Sequence, residues 1–221
     1  MSTEVELVGI IISLLAVAVA ILIPFLIEIL KRPELDIEIL PEQLEPDVKY
    51  RFIHGMVINR PHGKFKWLDR NPAIDTRINM TFYDRGHTRL FRSIPAKWDA
   101  GQESITPTIQ IHVHEATNRV EIQNISQFDS TKIPFGVKAN ILPNNEGETF
   151  AFIVKHQGQN ECYSFNGESY QFPFWSNPNW KIGTGEFIIE VSAISGNSSV
   201  TRRFILINNG PNLTDVSLAE Q

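Results

Sequence analysis

Residues 7–27 read LVGIIISLLAVAVAILIPFLI, 21 positions without a charge. No other stretch constrains the chain as strongly. A helix rises 1.5 Å per residue, so this run spans about 30 Å, the thickness of a bilayer's hydrocarbon core. Pro24 stands near its end, where a lost backbone hydrogen bond is most easily met by other groups. A cleaved signal peptide is the rival reading. It requires a positive n-region, whereas Met-Ser-Thr-Glu-Val-Glu is acidic, and the small-residue pattern Ala16-Val17-Ala18 lies inside the apolar run. The expectation is a retained transmembrane helix over 7–30, behind a short acidic leader over 1–6.

Orientation follows from the flanks. All 20 Lys and Arg lie after residue 30, beginning with Lys31 and Arg32 directly behind the span. The positive-inside rule makes these two residues the topology determinants. It places the N-terminus outside and the domain in the cytoplasm, in a single-pass arrangement. Small residues recur as Gly9-x3-Ser13 and Ala16-x3-Ala20, a spacing that lets two helices approach and would give a helix-mediated homodimer. An Ala-containing span also produces this pattern by composition alone.

Behind the span, 20 basic residues meet 22 acidic ones, a net charge of −2. That balance excludes the basic field of a general nucleic-acid binder. Cys162 is the single cysteine, so no intrachain disulfide forms and the core alone must hold the domain. A cytosolic setting suits such a domain. Asn-x-Ser/Thr sequons at Asn79, Asn124, Asn197 and Asn212 argue for the opposite side, where they would carry glycan.

The period changes after Lys31-Arg32-Pro33, because proline disfavours helical geometry in the residue before it. Leu35, Ile37 and Ile39 alternate with Glu34, Asp36 and Glu38, the mark of a strand with one wet face. Residues 31–47 read as this juxtamembrane strand and an acidic connector. Residues 48–209 continue as short strand-like runs between turn residues: 48–59, 76–83, 109–113, 120–122, 137–142 and 150–154. The clearest pair is 186–193 (EFIIEVSA) and 199–207 (SVTRRFILI), flanking the turn Ser195-Gly196-Asn197. No convincing helical period appears. The residues after Gly210 are polar and read as a flexible tail, 210–221. The fold class is all-β, a sandwich behind one helix.

The stretch Trp180-Lys-Ile-Gly-Thr-Gly185-Glu-Phe-Ile-Ile-Glu-Val191 resembles the entry to the penultimate strand of immunoglobulin-like and fibronectin-III-like domains, with 199–207 as the final strand. The likeness covers about 30 residues and lacks the two cysteines of an antibody domain. The arrangement as a whole resembles uncharacterised single-pass membrane proteins with such a sandwich. The resemblance implies a domain that binds or spaces things, and it transfers no functional residues.

Three clusters stand out. His112 and His114 lie two apart on a strand, so both imidazoles share a face and could reach one metal ion, given a third ligand from elsewhere. Two histidines on the wet face of a strand satisfy the same pattern. Residues 60–70 are the most basic stretch. Arg60, Lys64, Lys66 and Arg70 surround Phe65 and Trp67, a composition suited to membrane-surface contact on anionic lipid. A solvated loop with tucked aromatics fits as well. Residues 170–180 are dense in aromatics and either cover one end of the core or form a groove. Cys162 reads as a small buried residue. No catalytic motif is present: Gly167-Glu-Ser169-Tyr-Gln171 lacks the second glycine of a nucleophile elbow, and no cofactor is implied. The expected function is a membrane-anchored, non-catalytic binding or scaffolding module whose partner the sequence does not name. A metal-dependent or hydrolytic enzyme with a site built from distant residues is the alternative, and an outward-facing glycosylated surface protein is another.

Overall fold

The computed structural model describes residues 2–41, 48–63, 68–99, 109–114, 119–124, 138–143, 146–196 and 198–221, with side chains omitted for 2–8, 10, 109–114 and 119–124. The chain opens with one α-helix, α1 (Ser2–Leu30), which carries Pro24 within it. Residues 11–30 are long and apolar enough to cross a membrane. Side chains 11–29 are all exposed. A core helix would have one face covered, and this one is apolar and uncovered all round.

The described remainder is mostly β-strands, with short 3-10 turns between some of them: β1 (Leu35–Ile39), β2 (Tyr50–Asn59), β3 (Ala73–Asp84), β4 (Ile94–Pro95), β5 (Ile109–His114), β6 (Arg119–Asn124), β7 (Ala139–Ile141), β8 (Glu148–His156), β9 (Cys162–Ser164), β10 (Lys181–Ile182), β11 (Gly185–Ser195), β12 (Ser198–Asn208) and β13 (Val216–Glu220). One sheet runs β1-β2-β8-β9-β10 and a second runs β13-β12-β11-β3-β4, with β7 paired to β3. The hairpin β5-β6 forms a separate two-stranded sheet. All these pairings are antiparallel.

Alternation explains which faces meet. On β3 the side chains of Ile78, Met80 and Phe82 are buried, while Asn79 and Thr81 between them are exposed and half-buried. These three join Ile189, Val191, Phe204 and Leu206 of the same sheet in one core with Ile37, Ile53, Val57, Phe150 and Phe152 of the other. Strand β8 is buried on both faces, which is why it reads as a near-continuous apolar run. Its Phe150 and Phe152 enter the shared core, while Ala151 and Val154 pack with Phe165 on the opposite face.

One backbone contact just before β8 has a direct test. A Cβ at Gly147 would run into the Val57 carbonyl oxygen. Backbone cannot give way as a side chain can, so Gly147→Ala is expected to cost about 1–3 kcal/mol. Denaturant unfolding of the full chain in detergent micelles measures it.

Two expectations are corrected. Residues 210–221 are no loose tail. Leu213–Asp215 forms a 3-10 turn and β13 pairs along β12, from Phe204↔Glu220 to Asn208↔Val216. The polar composition misled because order there comes from hydrogen bonds. Asp215 accepts from the Asn212 N–H at 2.8 Å, and Arg51 Nη1 donates to the carbonyls of Leu213 (3.0 Å) and Val216 (2.9 Å). Strand β12 is therefore not the last. The juxtamembrane strand is likewise part of the domain: β1 pairs with β2 over its whole length, Leu35↔Asn59 to Ile39↔Gly55. The acidic connector, 42–47, lies outside the described residues.

Candidate functional site

The last carbonyls of a helix lack intrahelical partners. Here the domain supplies one to the Leu30 carbonyl and then bonds the carbonyls of the four residues that follow the helix. His62 Nε2, in its protonated tautomer, donates to the Leu30 carbonyl at 3.0 Å. The Asn71 N–H donates to the Lys31 carbonyl at 2.7 Å, and Arg70 Nη1 to that of Arg32 at 2.9 Å. Ser198 Oγ donates to the Pro33 carbonyl at 2.9 Å, and the Arg60 N–H to that of Glu34 at 2.8 Å. Buried Asn59 accepts from the Glu34 N–H through Oδ1 (3.1 Å) and donates through Nδ2 to Asn71 (3.0 Å) and Ile141 (3.3 Å). Helix and domain thus join without a free linker.

Charge reinforces the junction. Asp36 is 7% exposed and accepts from Arg60 Nε (2.8 Å) and Nη2 (2.6 Å) through one oxygen. Arg202 Nε (2.9 Å) and Nη2 (2.8 Å) donate to its other oxygen. Burial alone would push the Asp36 carboxyl up, but the bonds from Arg60, Arg202 and the Ile37 N–H hold it below the ordinary range. Arg60 also reaches Glu38 at 2.9 Å, and Arg70 pairs with Glu34. Asp36 ties β1 in one sheet to Arg202 on β12 in the other.

These contacts locate the sequence-expected site residues. Arg60 and Arg70 flank the basic loop at the helix end, but their guanidiniums are committed to Asp36, Glu38 and Glu34. Lys64, Lys66 and Trp67 lie outside the described residues. His112 and His114 sit on β5, opposite Glu121 and Arg119 of β6 in register, and their side chains are likewise outside the description. Among the described residues no group of three or more His, Cys, Asp or Glu is placed to hold a metal. In α1 the Ser13 hydroxyl donates to the Gly9 carbonyl at 2.8 Å, so the small-residue pair bonds within its own helix.

The other end of β2 carries a second feature. Strand β2 runs ten residues, from Tyr50 opposite His156 to Asn59 opposite Leu35, about 30 Å. At the far end Trp175 packs edge-on against Tyr50 (5.1 Å between centroids) and Phe52 (5.2 Å). Phe52 in turn meets Phe165 at 4.9 Å, and Phe165 meets Tyr170 at 5.5 Å. The Lys97 ammonium bonds the Tyr170 hydroxyl and lies 4.2 Å from its ring centroid. Burial lowers the pKa of Lys97 and pushes Tyr170 up to about 12. Phe174 and Trp175 are consecutive bulky residues at positive φ, 53° and 59°. Such backbone costs energy and persists only where its surroundings impose it. Phe174 is 70% exposed. Of the aromatic stretch, Trp180 is buried core, Trp175 is half-covered and Phe174 is presented outward. The sequence marked 170–180 but not Tyr50 and Phe52. Their two-residue spacing was the available signal.

Ser176 Oγ closes this turn, 3.3 Å from His156 Nε2 and 3.4 Å from the Phe174 carbonyl. His156 is buried, and burial lowers its pKa despite the Phe174 carbonyl. A group that is harder to protonate when folded takes up fewer protons than the unfolded chain. Stability is therefore full above the unfolded value near 6.5 and is lost as pH falls below it toward the folded value. The melting temperature is expected to drop between about pH 7 and 5, and His156→Gln to flatten that slope. A scan of both proteins in one buffer series checks this.

Comparison with protein-family models, with curated proteins and with solved structures finds no match to the chain.

Proposed function

We propose that the chain is a membrane-anchored, non-catalytic binding module that presents the aromatic end of its domain away from the bilayer. The observation that carries this is the junction: successive backbone carbonyls from Leu30 to Glu34 each accept a hydrogen bond from the domain. A module tied this way keeps a fixed end toward the membrane and a fixed end away from it. Tyr50, Phe174 and Trp175 occupy the far end, where an exposed aromatic on strained backbone suits a protein partner.

The domain is read as an immunoglobulin-like β-sandwich. Strand order supports this. In β12-β11-β3 the second sheet has the G-F-C sequence of neighbours, and in β1-β2-β8 the first has A-B-E. Strand β9 lies where D would, but it follows β8 in the chain instead of preceding it. Lys31 and Arg32 orient the domain to the cytoplasm. Protease added to the cytoplasmic face of sealed vesicles is expected to digest the domain, and full protection reverses the orientation.

The binding role is tested by a photo-crosslinking residue at Phe174, in the full chain, in membranes of its native host. A discrete heavier product is expected, lost when Trp175→Ala is added. No product at Phe174 or at Tyr50 contradicts the reading.

A further inference from the structure

Few large apolar side chains of the described domain stand exposed, and three of them gather at the end that receives the helix. Ile74 is 53% exposed, Leu142 55% and Ile194 46%. The Ile74 carbonyl accepts from Ser195 Oγ at 2.7 Å, which sets Ile74 against the β11–β12 turn. Ile194 directly precedes Ser195, and Ser198 across the same turn holds the Pro33 carbonyl. Leu142 follows Ile141, whose carbonyl takes Asn59 Nδ2, and Asn59 also receives the Glu34 N–H. Leu142 thus adjoins a group bonded into the junction, and Ile74 and Ile194 adjoin the turn whose Ser198 is bonded into it.

Scattered exposed apolar residues are ordinary. These three are grouped around the point where the chain leaves an uncovered apolar helix. A helix end at the edge of the hydrocarbon core enters a headgroup layer roughly 5–7 Å deep on each side. Side chains beside that end are in its reach. Arg60 and Arg70 are paired within the protein, and the attraction argued from these three side chains is apolar burial.

We propose that Ile74, Leu142 and Ile194 form an apolar foot that seats the domain in the headgroup region of the bilayer spanned by α1. The inference rests on the reading of α1 as a membrane span. The foot adds a contact to the stance that the junction sets, and it makes that contact as strongly on zwitterionic as on anionic lipid.

The test uses Ile74→Cys, Leu142→Cys, Ile194→Cys and, at the far end, Phe174→Cys in the full chain. Each is labelled with an environment-sensitive fluorophore and reconstituted in phosphatidylcholine vesicles with or without headgroup-region spin-labelled lipid. Native Cys162 does not compete, since it is buried and burial pushes its thiol up to about 12. Quenching at the three foot positions is expected to exceed that at Phe174→Cys by about twofold or more, and to persist without anionic lipid. Equal quenching at all four positions, in protein that resists alkaline carbonate extraction, overturns the foot and leaves the anchor standing. Protein that washes out in carbonate overturns the anchor and the foot together.

Discussion

Lys155→Ala is expected to lower the stability of the domain by about 4 kcal/mol. Lys155 is fully buried on β8, directly after the apolar run 150–154. Its Nζ donates to the carbonyls of Gly210 (2.6 Å) and Asn160 (3.1 Å) and to Asn208 Oδ1 (2.8 Å). All three acceptors are neutral, and burial lowers the lysine's pKa. Alanine removes the three bonds and leaves a cavity. Each buried acceptor left without a donor costs about 1–3 kcal/mol, and the cavity adds to that. The full sum is not reached, because Asn208 Nδ2 still donates to the Asn160 carbonyl at 2.8 Å. Lys155→Met keeps most of the volume and isolates the lost donors, so about half the effect is expected. Urea unfolding of the full chain in micelles, followed by tryptophan fluorescence, measures both. A loss under about 1 kcal/mol for Lys155→Ala would show that the amine does not hold these segments together.

Asp36→Ala is expected to cost about 2–3 kcal/mol. It removes four guanidinium bonds and the tie between the sheets. Breaking a fully buried pair typically costs about 3–5 kcal/mol, because a charge is stranded. The Arg60 and Arg202 side chains are 48% and 43% exposed and can turn to water, which sets the lower figure. The carboxyl is held below its ordinary range when folded. Its contribution is therefore complete above the unfolded value near 3.9 and is lost as pH falls through the lower folded value. Asp36→Asn is expected to lower stability at pH 7 and to flatten the acid limb below about pH 4. An unchanged acid limb would mean another carboxylate governs it.

The sequence shows the parts of this fold that repeat with period two or stay apolar at length. Residues 78, 80 and 82 alternate cleanly, and the structure buries all three. The pair 186–193 and 199–207 forms the longest hairpin among the described residues, Gly185↔Asn208 to Ser195↔Ser198. Short elements escaped because two or three residues carry no period: β4, β9 and β10 are examples. Strand β13 escaped for another reason. Its order comes from Arg51, Lys155 and Gln157, all distant in sequence, the last accepting the Leu213 N–H through Oε1 at 3.1 Å. The junction was half legible. The basic loop 60–70 was visible, but its pairing with Asp36, Glu38 and Glu34 needs β1 laid beside β2, a fact of register and not of composition. The apolar foot was invisible, because Ile74, Leu142 and Ile194 look like ordinary strand residues until their exposure is known.

We propose that α1 holds the domain at a membrane, and alkaline carbonate extraction of membranes containing the full chain distinguishes a spanning helix from a peripheral one. The chain is expected to remain in the pellet, as a protein crossing the bilayer through about 20 apolar residues does. Quantitative release into the supernatant would contradict the claim.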